Sequence, residues 1–363
     1  MSEKENVTSD SANGVFFAAA NSGRGFVSFY SEIFGRDGIE RRYLIKGGPG
    51  TGKSTFMKRA ADMAESLGVS VERYKCSSDP DSLDGVIIDN RIAIIDSTAP
   101  HTVEAELAGA RDVIVDLGAF WNSDRLFCER DKIKALTERK KRAYALAYRF
   151  LSSAMESDIA ARELALPFLD VRRIRRLAGR LTRFISSDGG YECKIALSKA
   201  IGMSGRCSLD SFVPLARKIV YIEEHYGIGY RALGEICEEA RRKGCKIIVS
   251  CEPLSPELPD AVFFEESKTL FTLCQGHKIG AISLRRALDM SPLSRQEKNE
   301  LRFKMRNARR LSDALVLAAL DELKEAGKAH FELEMIYRAN MDFSALNDYT
   351  TAFAEQILGF VKK

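Results

Sequence analysis

No apolar run in this 363-residue chain reaches the ~18 residues that cross a bilayer, so no membrane partner is expected. Met1 to Ser11 lacks the basic-then-apolar layout of a secretory leader. Polar and mixed in charge, residues 1–13 read as a disordered lead-in. An excess of one charge is missing too. The 55 Lys and Arg against 51 Asp and Glu leave +4, too little to imply nucleic-acid binding by the chain as a whole. Eight cysteines without an export signal are expected as thiols rather than a disulfide framework, which places the protein in the cytoplasm. The length fits two domains or one large one.

Against these absences stands Gly47-Gly48-Pro49-Gly50-Thr51-Gly52-Lys53-Ser54, a full match to G-x-x-x-x-G-K-[ST]. The apolar run Tyr43-Leu44-Ile45 before it reads as a strand, and Ser54 to Leu67 after it as a helix. In that context the glycines let backbone N–H groups turn inward around a phosphate at the positive end of a helix. The expected nucleotide-binding residues are Gly47, Gly48, Pro49, Gly50, Thr51, Gly52, Lys53, Ser54 and Thr55. A second strand, Ile92-Ala93-Ile94-Ile95, closes on Asp96 and looks like a Walker B strand; the competing reading makes Asp96 a helix N-cap. Lys53 and Asp96 are the expected catalytic residues, with Ser54 and Asp96 as Mg²⁺ ligands. No Glu follows Asp96, so the base is open among Asp79, Asp81, Asp84 and His101. Asp79-Pro80-Asp81-Ser82 is also a good turn sequence.

From Asp124 to about Ser186 the chain reads as helix, broken near Pro167. Residues 130–185 carry 15 Lys or Arg against 6 Asp or Glu. Two clusters stand out: Arg139-Lys140-Lys141-Arg142, and Arg172-Arg173-Ile174-Arg175-Arg176 with Arg180 and Arg183. A solvated face, a polyanion patch, an Arg finger and a lid over phosphates are all open readings. Nucleic acid is an allowed partner that no motif supports.

Shifted by 177 residues, Lys218 to Ile222 falls near Arg41 to Ile45, and Gly227-Ile228-Gly229 on Gly50-Thr51-Gly52. At 176, Gly68 falls on Gly244, Asp84 on Asp260, Val86 on Val262 and His101 on His277. The spacing of Lys134 to Ala154 returns in Leu301 to Ala319. An internal repeat is expected. It runs from an intact domain at 14–190, with its basic helical arm at about 124–186, to a degenerate copy at 191–363. In the copy Lys53 becomes Tyr230, Ser54 becomes Arg231, Gly47 becomes Glu224, Lys46 becomes Glu223 and Asp96 becomes Thr272. Phosphate ligand, Mg²⁺ hydroxyl and strand-end carboxylate all disappear, and two acids stand where phosphate would approach. Cys251, Cys274, His277 and His225 are a weaker metal reading, with buried strand thiols as the alternative.

The phrases Phe16 to Asn21, Gly25 to Tyr30, Lys46 to Thr55, Cys76 to Gly85 and Asp96 to His101 resemble a poorly characterised bacterial family of tandem P-loop ATPase-like proteins of similar length. The resemblance is strong over residues 14–125 and loose beyond. It implies an α/β P-loop NTPase fold, a parallel sheet flanked by helices, duplicated. Family members often keep a P-loop in both halves, and here the second loop departs from that pattern. ATP and Mg²⁺ are the expected ligands, and hydrolysis the expected chemistry. A small-molecule or nucleotide kinase and a nucleotide-dependent switch, with a protein partner, are the alternatives.

Overall fold

Short turns set the strand directions. Two strands joined by three residues must run antiparallel, because a parallel pair needs a crossover of a dozen residues or more. Asp89 and Asn90, both at positive φ, make such a turn after Ile88. The computed structural model describes residues 14–100, 102–186, 189–274 and 278–361. The expected lead-in, His101 and His277 lie outside the described residues.

The chain opens with β1 (Gly14–Phe17), β2 (Ala19–Ser22), β3 (Gly25–Ser28), α1 (Tyr30–Phe34), β4 (Arg41–Lys46) and α2 (Lys53–Ser66). It continues through β5 (Val71–Lys75), β6 (Leu83–Ile88), β7 (Ile92–Asp96) and β8 (Asp112–Asp116). Their main sheet has the order β1-β5-β6-β7-β4-β8. The pairs β1–β5, β7–β4 and β4–β8 are parallel, while β5–β6 and β6–β7 are antiparallel. The expected parallel sheet is therefore mixed, reversed at β6 by the two short connections on either side of it.

An arm follows: α3 (Ser123–Cys128), α4 (Arg130–Ala165) and α5 (Val171–Leu181). The second set is β9 (Glu192–Ile195), β10 (Lys199–Gly202), β11 (Gly205–Ser208), β12 (Lys218–Glu223), α6 (Ile228–Arg242), β13 (Lys246–Cys251), β14 (Pro259–Phe264) and β15 (Thr269–Cys274). Its arm is α7 (Arg295–Arg338) and α8 (Phe343–Val361). The second sheet reads β9-β13-β14-β15-β12, the order of the first without its edge strand β8, and with the same pattern of parallel and antiparallel pairs.

The arms cross. At 36 and 44 residues, α4 and α7 are about 54 and 66 Å long, and they pack against each other. Ala147, Leu151 and Ala154 of α4 share a core with Val316, Ala319 and Leu323 of α7, and the alanines permit close approach. Beyond α4, α5 lays Ile174 and Ala178 on α6, a helix of the second set. Beyond α7, α8 lays Phe353 on α2, a helix of the first, 4.6 Å between the Phe353 and Phe56 ring centroids. Matching backbone bonds pin both crossings. Asn122 N–H donates to Asn340 O (2.8 Å) and Asp342 N–H to Phe120 O (2.8 Å). At the other crossing Asp170 N–H donates to Ala287 O (2.8 Å) and Asp289 N–H to Phe168 O (2.7 Å). One continuous apolar core takes Phe16 and Phe17 from the first set and Ile222 and Phe263 from the second.

Candidate functional site

The loop between β4 and α2 needs glycine twice. Gly50 (φ 69°) and Gly52 (φ 85°) are left-handed, and Gly52 is the N-cap of α2. Thr51 Oγ1 donates to Gly48 O (2.9 Å) and closes the loop on itself. Lys53 folds back over it, donating from Nζ to Gly48 O (2.8 Å) and Gly47 O (3.3 Å), 3.7 Å from Asp96 Oδ2. Asp96 ends β7 and pairs in register with Ile45 of β4, so acid and loop share one edge of the sheet. Its Oδ1 accepts from Thr98 N–H (3.0 Å) and Thr98 Oγ1 (2.5 Å). That is a tight turn of its own, and no helix starts there, so the N-cap reading falls away. Ser54 Oγ accepts from Leu83 N–H (3.0 Å), tying α2 to β6. Thr55 is exposed on the first turn of α2, and Pro49 is partly exposed at the loop.

The expected bases divide. Asp79 accepts from Ser82 Oγ (2.7 Å) and Asp81 N–H (3.3 Å), and so closes its own turn. Asp84 is buried on β6, one place past the Gly85–Ile95 pair and so beside Asp96. Burial pushes the Tyr30 hydroxyl and the Cys76 thiol up, and the nearby Asp84 charge adds to both. Sequence reasoning missed Asp116, which ends β8 opposite Lys46 on the other flank of β4. The acid closing Asp112-Val113-Ile114-Val115 was its signal.

Sequence reasoning also missed what covers the loop. A Cβ added at Gly48 would lie 2.7 Å from the Tyr337 ring, and one at Gly50 would lie 2.7 Å from Glu334 O and 3.0 Å from Arg338 Cγ. At Gly52 it would meet Leu346 at 3.1 Å. The end of α7 and the start of α8 thus lie on the glycines. Lys140 of α4 faces the same place: burial and the charge of Lys53 push its ammonium down, opposed by Glu334. Glu334 is held below the usual carboxylate range, first by its bond from His330.

The second loop repeats the shape and inverts the charge. Tyr226 (φ 53°) and Gly227 (φ 87°) turn into α6. Glu224 lies inside that turn, its carboxylate accepting from the N–H groups of Gly227 (2.6 Å), Gly229 (3.0 Å) and Tyr230 (3.3 Å). Arg309 of α7 stands 3.7 Å from it, and the Glu224 side chain is 1% exposed. Burial pushes Glu224 up, and the Gly227 N–H and Arg309 work against that. The two acids expected to repel phosphate therefore act differently: Glu224 sits in the nest itself, while Glu223 ends β12.

The pairings expected for Asp96, Lys53 and Ser54 each shift by one residue. In strand register Ile45 faces Asp96, and Ile222 faces Leu273, so Asp96 corresponds to Leu273 and not Thr272. Both helices are followed by a positive-φ glycine, Gly68 and Gly244. With these superposed, the buried positions Phe56, Met57, Ala60 and Ala64 fall on Ala232, Leu233, Ile236 and Ala240. Lys53 then corresponds to Gly229 and Ser54 to Tyr230, because the second loop is one residue shorter. Neither correction restores a phosphate or metal ligand. Among the described residues no group of three metal-competent side chains exists, and Cys251 is a buried thiol pushed up to about 12 by desolvation. Nor, among those residues, is any helix long and apolar enough to cross a membrane. No protein-family model, curated protein or solved structure matches the chain.

Proposed function

We propose that the chain is an ATP-binding, Mg²⁺-dependent P-loop NTPase built by duplication, with one working nucleotide site at residues 47–55 and a second glycine loop that Glu224 has closed. The observation that carries this reading is the placement of Lys53. Its ammonium bridges two loop carbonyls and Asp96 at the positive end of α2, where an incoming phosphate replaces the carbonyls as its partner. The residue types fit the metal: Ser54 follows Lys53 in the chain and the Asp96 carboxylate lies 3.7 Å from the Lys53 ammonium, and two protein ligands suffice where phosphates and water complete the shell. Mg²⁺ held there would neutralise charge on the phosphates. Lys53 would orient them, the loop N–H groups would bind them, and Asp84 or Asp96 would position the attacking water. Displacement of a fluorescent ATP analogue tests the reading: wild type should bind, and Lys53→Ala should not. Equal affinity in both would overturn it.

The cover over the glycines favours a second reading, a nucleotide-dependent switch. A γ-phosphate at Gly48 and Gly50 must share space with Tyr337 and Arg338, so binding would move the end of α7. Limited proteolysis near residue 340, compared with ATP, ADP and no nucleotide, separates the two. A nucleotide-dependent pattern supports the switch, and an invariant one supports hydrolysis alone.

A further inference from the structure

Independently of the nucleotide site, we infer that the outer face of α5 is a binding surface for single-stranded nucleic acid. The helix Val171–Leu181 contains five arginines and no acid. Its apolar side is spent, since Ile174 and Ala178 are buried with α6 in the common core. Two of the arginines reach residues outside the helix: Arg175 reaches Glu235 (3.2 Å), and Arg173 donates to Arg286 O and lies 3.9 Å from Asp170. Within the helix, Arg176 Nε donates to Arg172 O (3.4 Å). Arg172, Arg176 and Arg180 are exposed and form no ion pair with any described residue. They recur every fourth residue, so they line one side of the helix at steps of about 6 Å. Like charges at that spacing repel by a few tenths of a kcal/mol per pair. The arrangement calls for an anion with several evenly spaced charges, and uniform use of arginine suits the forked geometry of phosphate.

Three residues past the end of the helix stands an exposed aromatic. Phe184 is 90% exposed, and the Arg183 guanidinium lies 5.5 Å from its ring centroid. An arginine track leading to an open ring is the pairing that grips a flexible strand: phosphates along the charges, a base on the ring. In a duplex the bases are stacked away from such a ring. An anionic membrane is disfavoured because the apolar side of α5 already faces α6 and cannot enter lipid.

Anisotropy of a labelled oligouridylate and a labelled oligothymidylate with the full chain tests this across a salt series. The triple variant Arg172→Ala/Arg176→Ala/Arg180→Ala should bind at least about tenfold more weakly, with the log–log salt slope shallower by about 2. Phe184→Ala should lose roughly 5- to 100-fold with the slope unchanged. The triple Arg→Lys variant, which keeps charge and helix, should fall between wild type and the alanine triple. No binding by wild type, or binding that the alanine triple leaves intact, would overturn the proposal. So would equal affinity for a duplex or for phosphatidylserine vesicles together with a silent Phe184→Ala.

Discussion

The two glycine loops have the same frame and opposite contents. Each joins the end of a parallel strand to a helix through a left-handed glycine, and each carries the far end of a long helix from the other half: Tyr337 of α7 lies on Gly48, and Arg162 of α4 on Gly227. In the first, a lysine folds over the loop and bonds its carbonyls. In the second, a glutamate has entered the turn and makes the bonds an anion would make. The comparison teaches that one turn geometry can be completed by either sign of charge. In the second loop the chain supplies its own anion to the backbone N–H groups, with Arg309 of α7 as counter-charge.

The largest effect that sharpens this contrast is expected at Lys53. Lys53→Ala should lower nucleotide turnover by about 10²–10³-fold, the usual consequence of deleting one preorganised charge donor. The steady-state rate of phosphate release checks it, and Tyr230→Phe in the other loop should leave that rate unchanged.

Next comes Glu224. Glu224→Ala strands buried N–H groups and should cost about 2–3 kcal/mol in chemical denaturation. Sulfate or phosphate should restore part of the loss by entering the vacated nest, whereas wild type should gain nothing comparable. A loss that no anion repairs would break the comparison, because the turn would then not be an anion nest.

How much of this was legible in the sequence follows from what is local. The first loop was, since eight consecutive residues and their flanks carry it. The strand end at Asp96 was too, whereas Asp116 at the end of β8 was passed over. The likeness of the two halves was visible as a nearly constant shift, but a shift counted along the sequence cannot locate a one-residue shortening; the place of Leu273 came from strand pairing, and that of Gly229 from the buried helix positions and the glycines that follow them. Asp89-Asn90 is the local signal for the reversed strand β6, and the expectation of a parallel sheet took no account of it. Nothing local announces that Tyr337 and Arg338 lie on Gly48 and Gly50, because almost 290 residues separate them. The role of Glu224 was half legible: an acid three residues before a glycine turn reads equally as repulsion or as a cap.

A smaller effect is expected from pH. Burial raises Glu224 in the folded state above its ordinary value of about 4.3. A raised carboxyl binds its proton more tightly when folded, so its contribution is most favourable below that value and declines as pH rises through the folded one. Glu224→Gln does not ionise. Its stability relative to wild type should therefore improve from pH 4 to pH 7, as read by denaturant midpoints, and a constant difference would count against a strained buried carboxylate.

The smallest effect belongs to the cover. Tyr337→Ala removes the ring from Gly48 and should speed nucleotide association a few-fold in stopped flow with little change in denaturation midpoint. A slower association would show that the ring helps to form the site.

The asymmetry of the two loops is tested most directly by the number of nucleotides bound per chain. Isothermal titration with a non-hydrolysable ATP analogue and Mg²⁺ should give one per chain for wild type and for Glu224→Gln, and none for Lys53→Ala. Two per chain, or one that survives Lys53→Ala, would contradict the account.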